Sequence, residues 1–215
     1  MITLAFDTCL DKMYVVLKKD GEILASKTVE NHDNKYHSAF LISTLQEVMC
    51  ENDVKPQDVD LIGVNIGPGS FTGIRACVTV ARVMAQQLNC KVAGVSSLEI
   101  LAETYYSGHS EQSIESHNII EKIPLVALDA RKNCAYLYSD NEIKGAIPLE
   151  EVQKYIQTGK YDVITDDKLQ PILGGVSYQK QNFPLGEILA QLAEEKEETN
   201  WRLLKPLYIQ PPPMG

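Results

Sequence analysis

The chain has 215 residues, with 20 basic and 29 acidic side chains and a formal net charge of −9. With 44% hydrophobic and 23% charged residues it has the composition of a globular protein, which excludes a collagen, a coiled coil and disorder along most of its length. The negative charge argues against direct nucleic-acid binding, because a phosphate backbone is bound by clustered lysine and arginine and the sequence offers only pairs of them.

The first half of the sequence alternates short apolar runs with amphipathic stretches, which predicts the element order β-β-β-α-β-α-β. Asp20-Gly21 indicates a hairpin turn, and Ser38 is the expected N-cap of the first helix. Three meander strands followed by alternating helices and strands are typical of the ribonuclease-H-like plan, the half-unit of the actin-like ATPases. The predicted strands are Ile2–Asp7, Lys12–Lys18, Glu22–Val29, Leu61–Ile66 and Lys91–Val95, and the predicted helices are Ser38–Cys50 and Gly73–Leu88.

An internal repeat indicates that this plan is duplicated. Residues Ala5–Val15 align without gaps on Ala127–Leu137, sharing an alanine, an apolar residue, an aspartate and a tyrosine. We therefore expect an α/β protein with the two-lobed actin-like ATPase fold, degenerate and shortened. The first lobe is expected to comprise residues 1–102 with about 183–215, and the second, reduced lobe residues 103–182. The second half predicts strands at Pro124–Ala130, Cys134–Ser139 and Asp162–Thr165, helices at Leu149–Gln157 and Pro184–Lys196, a polar linker at Tyr106–Glu121 and an extended tail at Pro211–Pro213.

Two motifs lie at the carboxyl ends of predicted strands, where such folds bind ligands. Gly67–Arg75 predicts a tight strand-to-helix turn whose helix N–H groups could hold an anion, or whose glycines could simply let helix and sheet pack closely. Asp7 ends the first strand, where an actin-like ATPase places the carboxylate of its magnesium-bound phosphate. Thr8 and Cys9 follow without the glycine that lets a backbone approach a phosphate. The sequence therefore favours a degenerate phosphate site over a working one.

The histidines and cysteines predict neither a metal site nor a disulfide framework. No two histidines lie at positions i and i+4, and the odd number of cysteines includes no CxxC pair. Without any stretch of 18 apolar residues, the sequence predicts a reduced, soluble, cytoplasmic protein with no membrane partner. The residues concerned are His32, His37, His109 and His117, and Cys9, Cys50, Cys77, Cys90 and Cys134.

The two predicted helices of the first half are more apolar than surface helices usually are. Gly73–Leu88 is apolar around most of its circumference, and Ser38–Cys50 carries apolar residues beside its core row. Such helices are either covered within the fold or packed against a partner. The pattern alone leaves both interpretations open.

Several short motifs, taken in order, resemble those of the bacterial TsaB (YeaZ) family. The resemblance covers nearly the whole chain, and its departures are Cys9, where serine is usual, and Gln210, where the closing motif normally has arginine. The motifs are Ala5-Phe6-Asp7-Thr8, His37-Ser38, Gly67-Pro68-Gly69-Ser70-Phe71-Thr72-Gly73-Ile74-Arg75, Val95-Ser96-Ser97-Leu98-Glu99, Ala127-Leu128-Asp129-Ala130-Arg131 and Pro206-Leu207-Tyr208.

The resemblance implies a subunit that catalyses nothing itself. It implies a scaffold that binds a catalytic TsaD-type subunit, together with a TsaE-type ATPase, for threonylcarbamoyl transfer to the adenosine beside the anticodon in tRNA. ATP and metal would then belong to those partners, this chain would need no cofactor, and tRNA would be contacted only through the complex. Members of the family in isolation often self-associate through the same face, so a homodimer is possible. Whether the isolated chain is a monomer or a homodimer, and whether a nucleotide binds at the shared interface, stay open.

The expected partner contact is a four-helix bundle built from the two apolar helices and two from a related lobe. Two other functions stay open on the residues alone. One is a free-standing ATPase or small-molecule kinase of the same fold, against which the missing glycines after Asp7 and Asp129 count. The other is a metal-dependent peptidase, which the scattered histidines oppose. The expected contact residues are Phe40, Thr44, Val80, Arg82, Val83 and Met84.

Overall fold

The computed structural model describes residues 1–30, 37–109 and 122–210, which divide into two compact units. The first unit comprises Met1–Ser97 and Pro184–Leu207, and the second comprises Leu98–Phe183 with the residues that follow Leu207. Each unit contains its own five-stranded sheet of mixed parallel and antiparallel strands.

The strands and helices agree with the predicted order and add four elements that the sequence pattern did not indicate, α3, β8, α5 and β10. The strands are β1 Ile2–Asp7, β2 Met13–Lys19, β3 Glu22–Val29, β4 Leu61–Asn65, β5 Lys91–Val95, β6 Ile123–Asp129, β7 Cys134–Ser139, β8 Glu142–Pro148, β9 Tyr161–Thr165 and β10 Val176–Ser177. The helices are α1 Leu41–Glu51, α2 Phe71–Leu88, α3 Ser97–His109, α4 Leu149–Gln157, α5 Gln170–Leu173 and α6 Leu185–Glu195.

The two sheets have the same topology. Their strand orders are β3-β2-β1-β4-β5 and β10-β9-β6-β7-β8, so each begins with an antiparallel meander and continues with two parallel strands beside its first strand. The predicted duplicated α/β fold is thus confirmed. The gapless alignment of the two hairpins is wrong by one residue after the turn. Asp7 pairs with Tyr14, whereas Asp129 pairs with Ala135, so the second turn is one residue shorter.

In the first unit, helices cover both faces of the sheet. Alternate strand residues point to opposite faces, and Leu4 and Phe6 pack in one core cluster with the buried sides of α1 and α2. On the other face, Ala193 of α6 lies over Gly63 of β4, where an added Cβ would approach the Ala193 Cβ to 2.6 Å. The glycine therefore lets α6 approach the sheet closely, and the outward sides of α1 and α2 remain on the opposite surface.

The starts of α1 and α2 differ from those predicted. Ser38 is not the N-cap of α1, because a 3₁₀ turn at His37–Phe40 comes first and Phe40 takes the cap position without a side-chain bond. Instead, the hydroxyls of Ser43 and Thr44 donate to the Phe40 carbonyl. α2 begins earlier than predicted, because the Ser70 side chain caps it by accepting from the Gly73 N–H.

The predicted linker and tail fall partly or wholly outside the described residues. Tyr106–His109 forms the end of α3, whereas residues 110–121 and the predicted tail at 211–213 are not described. β8 was missed because it is a half-buried strand without regular alternation, at the end of the sheet. No helix within the described ranges has the length and hydropathy needed to cross a bilayer.

Candidate functional site

Asp7 lies buried at the carboxyl end of β1, and its carboxylate is turned back onto its own turn. Its Oδ1 accepts a hydrogen bond of 2.5 Å from the Cys9 N–H. The next residue is tied to α2, because the Thr8 hydroxyl donates to the Gly73 carbonyl at 2.8 Å and its N–H donates to the Cys77 sulfur at 3.1 Å. In a working site this turn would hold a phosphate. Here its polar groups form hydrogen bonds with Asp7 and with residues of α2.

The glycine-rich segment before α2 packs directly on this turn. The Ser70 N–H donates to the Cys9 carbonyl at 2.8 Å, which holds the start of α2 against the turn. A Cβ on Gly69 would overlap the Cys9 carbonyl, and one on Gly73 would overlap that of Thr8. The Gly67 N–H is also used internally, because it donates to Asn65 Oδ1. Of the two interpretations of this motif, the geometry favours close packing over an anion cradle.

One buried group of potential metal ligands lies here among the described residues. The Asp7 carboxylate and the sulfurs of Cys9 and Cys77 lie within 4.8 Å of one another. The magnesium ion expected of an ATPase prefers oxygen ligands, so two thiols are a poor match. Burial, and then the hydrogen bond with Cys77, raise the pKa of the Cys9 thiol well above its usual value, which keeps it protonated. Its sulfur donates to the Asn65 carbonyl at 3.3 Å. These residues therefore do not fit a magnesium–nucleotide site.

The corresponding aspartate of the second unit is also engaged by its neighbours. Asp129 accepts from the Lys168 ammonium at 2.9 Å and from the Arg131 N–H at 2.8 Å, and its own N–H donates to Asp166. Burial alone would raise the pKa of Asp129, but the bonds from Lys168 and Arg131 outweigh it and lower the pKa. The Asp129 carboxylate thus connects the turn after β6 with the turn after β9, both in the second unit.

The outward side of α2 is the most exposed part of the predicted contact. Val83 is 54% exposed in the middle of the helix, which makes it the most exposed apolar residue of the predicted set. Phe40, Val80 and Met84 are partly buried and pack against the core of the first unit. Arg82 is half-buried and lies over the ring of Trp201. Val83 is therefore the strongest contact candidate of the predicted set.

Thr44 does not fit the predicted contact and is withdrawn from it. Its side chain is buried within the unit, and its hydroxyl donates to the Phe40 carbonyl. Sequence reasoning missed the exposed Ile42 of α1, two residues before Thr44, because the apolar pattern assigned it to the core row. It also missed Trp201, which lies beside Arg82 of α2 because the chain returns to the first unit after α6, and the exposed Leu203 that follows it.

Comparison with known proteins finds relatives named for threonylcarbamoyladenosine biosynthesis in tRNA. A family model described as "TsaD: tRNA N6-adenosine threonylcarbamoyltransferase" matches residues 23–149, more than half of the chain. The tRNA threonylcarbamoyladenosine biosynthesis protein TsaB of Bacillus subtilis is 34% identical over 47% of this chain and 44% of its own length. The TsaB protein of Escherichia coli is 25% identical over 63% of this chain and 53% of its own. The matches thus span about half the length of these curated relatives.

Two solved structures share the fold of this chain. YeaZ from Pseudomonas aeruginosa matches with a TM-score of 0.68 and 24% identity, covering 96% of this chain and all of that one. A protein with similarity to peptidase YeaZ, from the same organism, matches with a TM-score of 0.71 and 23% identity, covering 97% and 99%. At such identities the likeness establishes the fold alone.

Proposed function

The chain belongs to the TsaB (YeaZ) family, and from that premise we propose that it is a non-catalytic subunit in the biosynthesis of threonylcarbamoyladenosine in tRNA. In this role it binds a TsaD-type catalytic subunit and acts with a TsaE-type ATPase. The transferred threonylcarbamoyl group is received by the adenosine beside the anticodon, and the metal and ATP are held by the partner subunits.

The packing of Gly73 on Thr8 carries the non-catalytic part of this proposal. A nucleotide phosphate needs free backbone N–H donors and space beside the first strand. In this chain the carbonyls of Thr8 and Cys9 and the start of α2 take up that space, and Asp7 bonds to its own turn. The arrangement supports a scaffold and counts against a free-standing ATPase or kinase.

The outward surface of α1 and α2 supports the partner-binding part. Both helices lie on the same face of the sheet, with their core sides buried and with Ile42 and Val83 exposed. Two such helices can pair with two from a related fold to form a four-helix bundle. A stable contact of this kind buries about 1,600 Å² in total.

Co-purification with the catalytic subunit of the same organism tests the proposal. Val83→Asp places an unpaired charge in the contact and should abolish co-purification, because a desolvated lone charge costs several kcal/mol. Val176→Asp in β10 is the matched control, since Val176 is 43% exposed and lies in the second unit. Wild-type chain that fails to bind, or a Val83→Asp variant that binds like Val176→Asp, would overturn the assignment.

Ligand binding by the isolated chain tests the non-catalytic part separately. We expect calorimetry to show no ATP affinity tighter than about 1 mM. We also expect no tRNA shift at physiological salt, given the net charge of −9. Micromolar ATP binding with turnover that Asp7→Ala abolishes would favour the ATPase or kinase instead.

A further inference from the structure

The first unit gathers the two residue types that most often anchor protein interfaces. The chain contains four arginines and one tryptophan, and three of those arginines, Arg75, Arg82 and Arg202, lie with Trp201 in or beside α2. Arginine and tryptophan are enriched among the residues that dominate binding energy. Their concentration on one surface calls for a functional explanation.

Trp201 holds two of these arginines by ring stacking. The guanidinium carbon of Arg202 lies 4.5 Å from the ring centroid, and that of Arg82 lies 6.0 Å away. Both distances are in the cation–π range. Neither arginine forms a salt bridge with any carboxylate in the described parts of the chain, although the sequence contains 29 acidic residues. The stack orients both cations while leaving their charge uncompensated.

The turn that carries Trp201 is anchored on both sides. Before it, Thr199 pairs with Val92 of β5, and after it Leu204 is buried in the core of the unit. Within the turn, the Asn200 side-chain oxygen accepts a hydrogen bond from the Arg202 N–H. The Asn200 backbone carbonyl accepts one from the Leu203 N–H. Leu203 closes the turn and is 69% exposed, the most exposed large apolar residue described. The hydrogen-bonded turn thus presents an apolar side chain next in sequence to an arginine that is stacked on Trp201.

The charge of α2 indicates what this surface meets. The helix contains no acidic residue over Phe71–Leu88, so its surface and the adjoining turn are cationic in a chain of net charge −9. We infer that the turn at Asn200–Leu203 and the neighbouring part of α2 form one docking surface for an acidic, partly apolar helical face. Leu203 is its apolar anchor, and Arg82 and Arg202 pair with carboxylates at its rim. The inference rests on the proposed function, since the face is that of the catalytic subunit.

Charge reversal tests the rim. The double variant Arg82→Glu/Arg202→Glu should slow association with the catalytic subunit about tenfold or more at low salt, because complementary charges accelerate encounter. The difference should shrink as salt screens the charges. The control Lys19→Glu/Lys154→Glu changes the net charge equally at exposed positions that belong to neither α2 nor the turn at Asn200–Leu203. The neutral pair Arg82→Gln/Arg202→Gln, with folding checked by thermal denaturation, should show a smaller slowing.

Leu203→Ser removes the apolar anchor. We expect this variant to dissociate from the catalytic subunit about tenfold faster than the wild-type chain. Association and dissociation rates equal to those of the lysine control would overturn the inference. If Val83→Asp alone prevents binding while these variants bind normally, the inference that the turn at Asn200–Leu203 contacts the partner is wrong, and the proposed function stands. If wild-type chain does not bind the catalytic subunit at all, the proposed function fails first.

Discussion

The backbone carbonyl of Thr8 fills the space that a side chain on Gly73 would occupy. The same residue donates its hydroxyl to the Gly73 carbonyl, so strand β1 and helix α2 meet backbone to backbone. This contact joins the two motifs that the sequence marked as a phosphate site. It gives Gly73 a packing role that any residue with a side chain would disturb.

Replacing Gly73 with alanine should therefore destabilise the first unit. The new methyl group must displace backbone rather than a flexible side chain, and overpacking of this kind costs about 1–3 kcal/mol or more. Urea denaturation should show a lower midpoint for Gly73→Ala. Thr72→Ala, one residue earlier and exposed, is the control and should change the midpoint little. Equal midpoints for the two variants would contradict the packing role.

A second prediction concerns the ion pair that fixes α6 to the sheet. Lys18 of β2 and Glu194 of α6 lie 2.7 Å apart, with side chains only 10% and 18% exposed. Lys18→Met leaves the Glu194 charge poorly solvated and unpaired, and should lower the free energy of unfolding by about 2 kcal/mol or more. Lys27→Met breaks the more exposed pair with Glu47 and should cost less than about 1 kcal/mol. Adding Glu194→Leu to Lys18→Met should recover most of the loss, and no recovery would argue against the pair.

The stability of the first unit should fall at alkaline pH. Burial raises the pKa of Tyr14, as do the nearby carboxylates of Asp11, Asp7 and Glu30, and burial likewise raises the pKa of Cys9. The unfolded chain then loses these protons at lower pH than the folded one, so stability is full below about pH 8.5 and declines as pH rises toward the folded-state values. Urea denaturation at pH 8, 9.5 and 10.5 should show this decline. Tyr14→Phe should reduce the decline above pH 10, and a flat profile would contradict it.

The sequence predicted strands better than contacts between distant segments. β1, β3, β5 and β7 have the predicted bounds, because their apolar runs end at turn residues that interrupt a strand on local grounds. The return of Thr199 to pair with Val92 has no local signal. Trp201 therefore appears beside Arg82 only once the chain is folded.

The prediction of the partner-contact residues on α1 was limited in the same way. Periodicity assigned Ile42 to the core side of α1 and Thr44 to the partner side, and the structure reverses both assignments. The two residues are two positions apart, so they lie on nearly opposite sides of the helix. Which of the two sides faces the core is decided by packing against the sheet, and an apolar residue on the outward side hides that choice from a sequence pattern.

The final prediction concerns the turn that differs between the two hairpins. Arg131, Lys132 and Asn133 all adopt left-handed backbone conformations, with φ of 62°, 49° and 60°. A non-glycine residue in this region costs about 1–2 kcal/mol, so Lys132→Gly should stabilise the second unit by about 0.5–1 kcal/mol after its larger unfolded-state entropy is subtracted. Lys154→Gly, the same exchange in the interior of α4, should instead destabilise by about 1 kcal/mol. Thermal denaturation should move the two midpoints in opposite directions, and a loss of stability in both variants would contradict the left-handed turn.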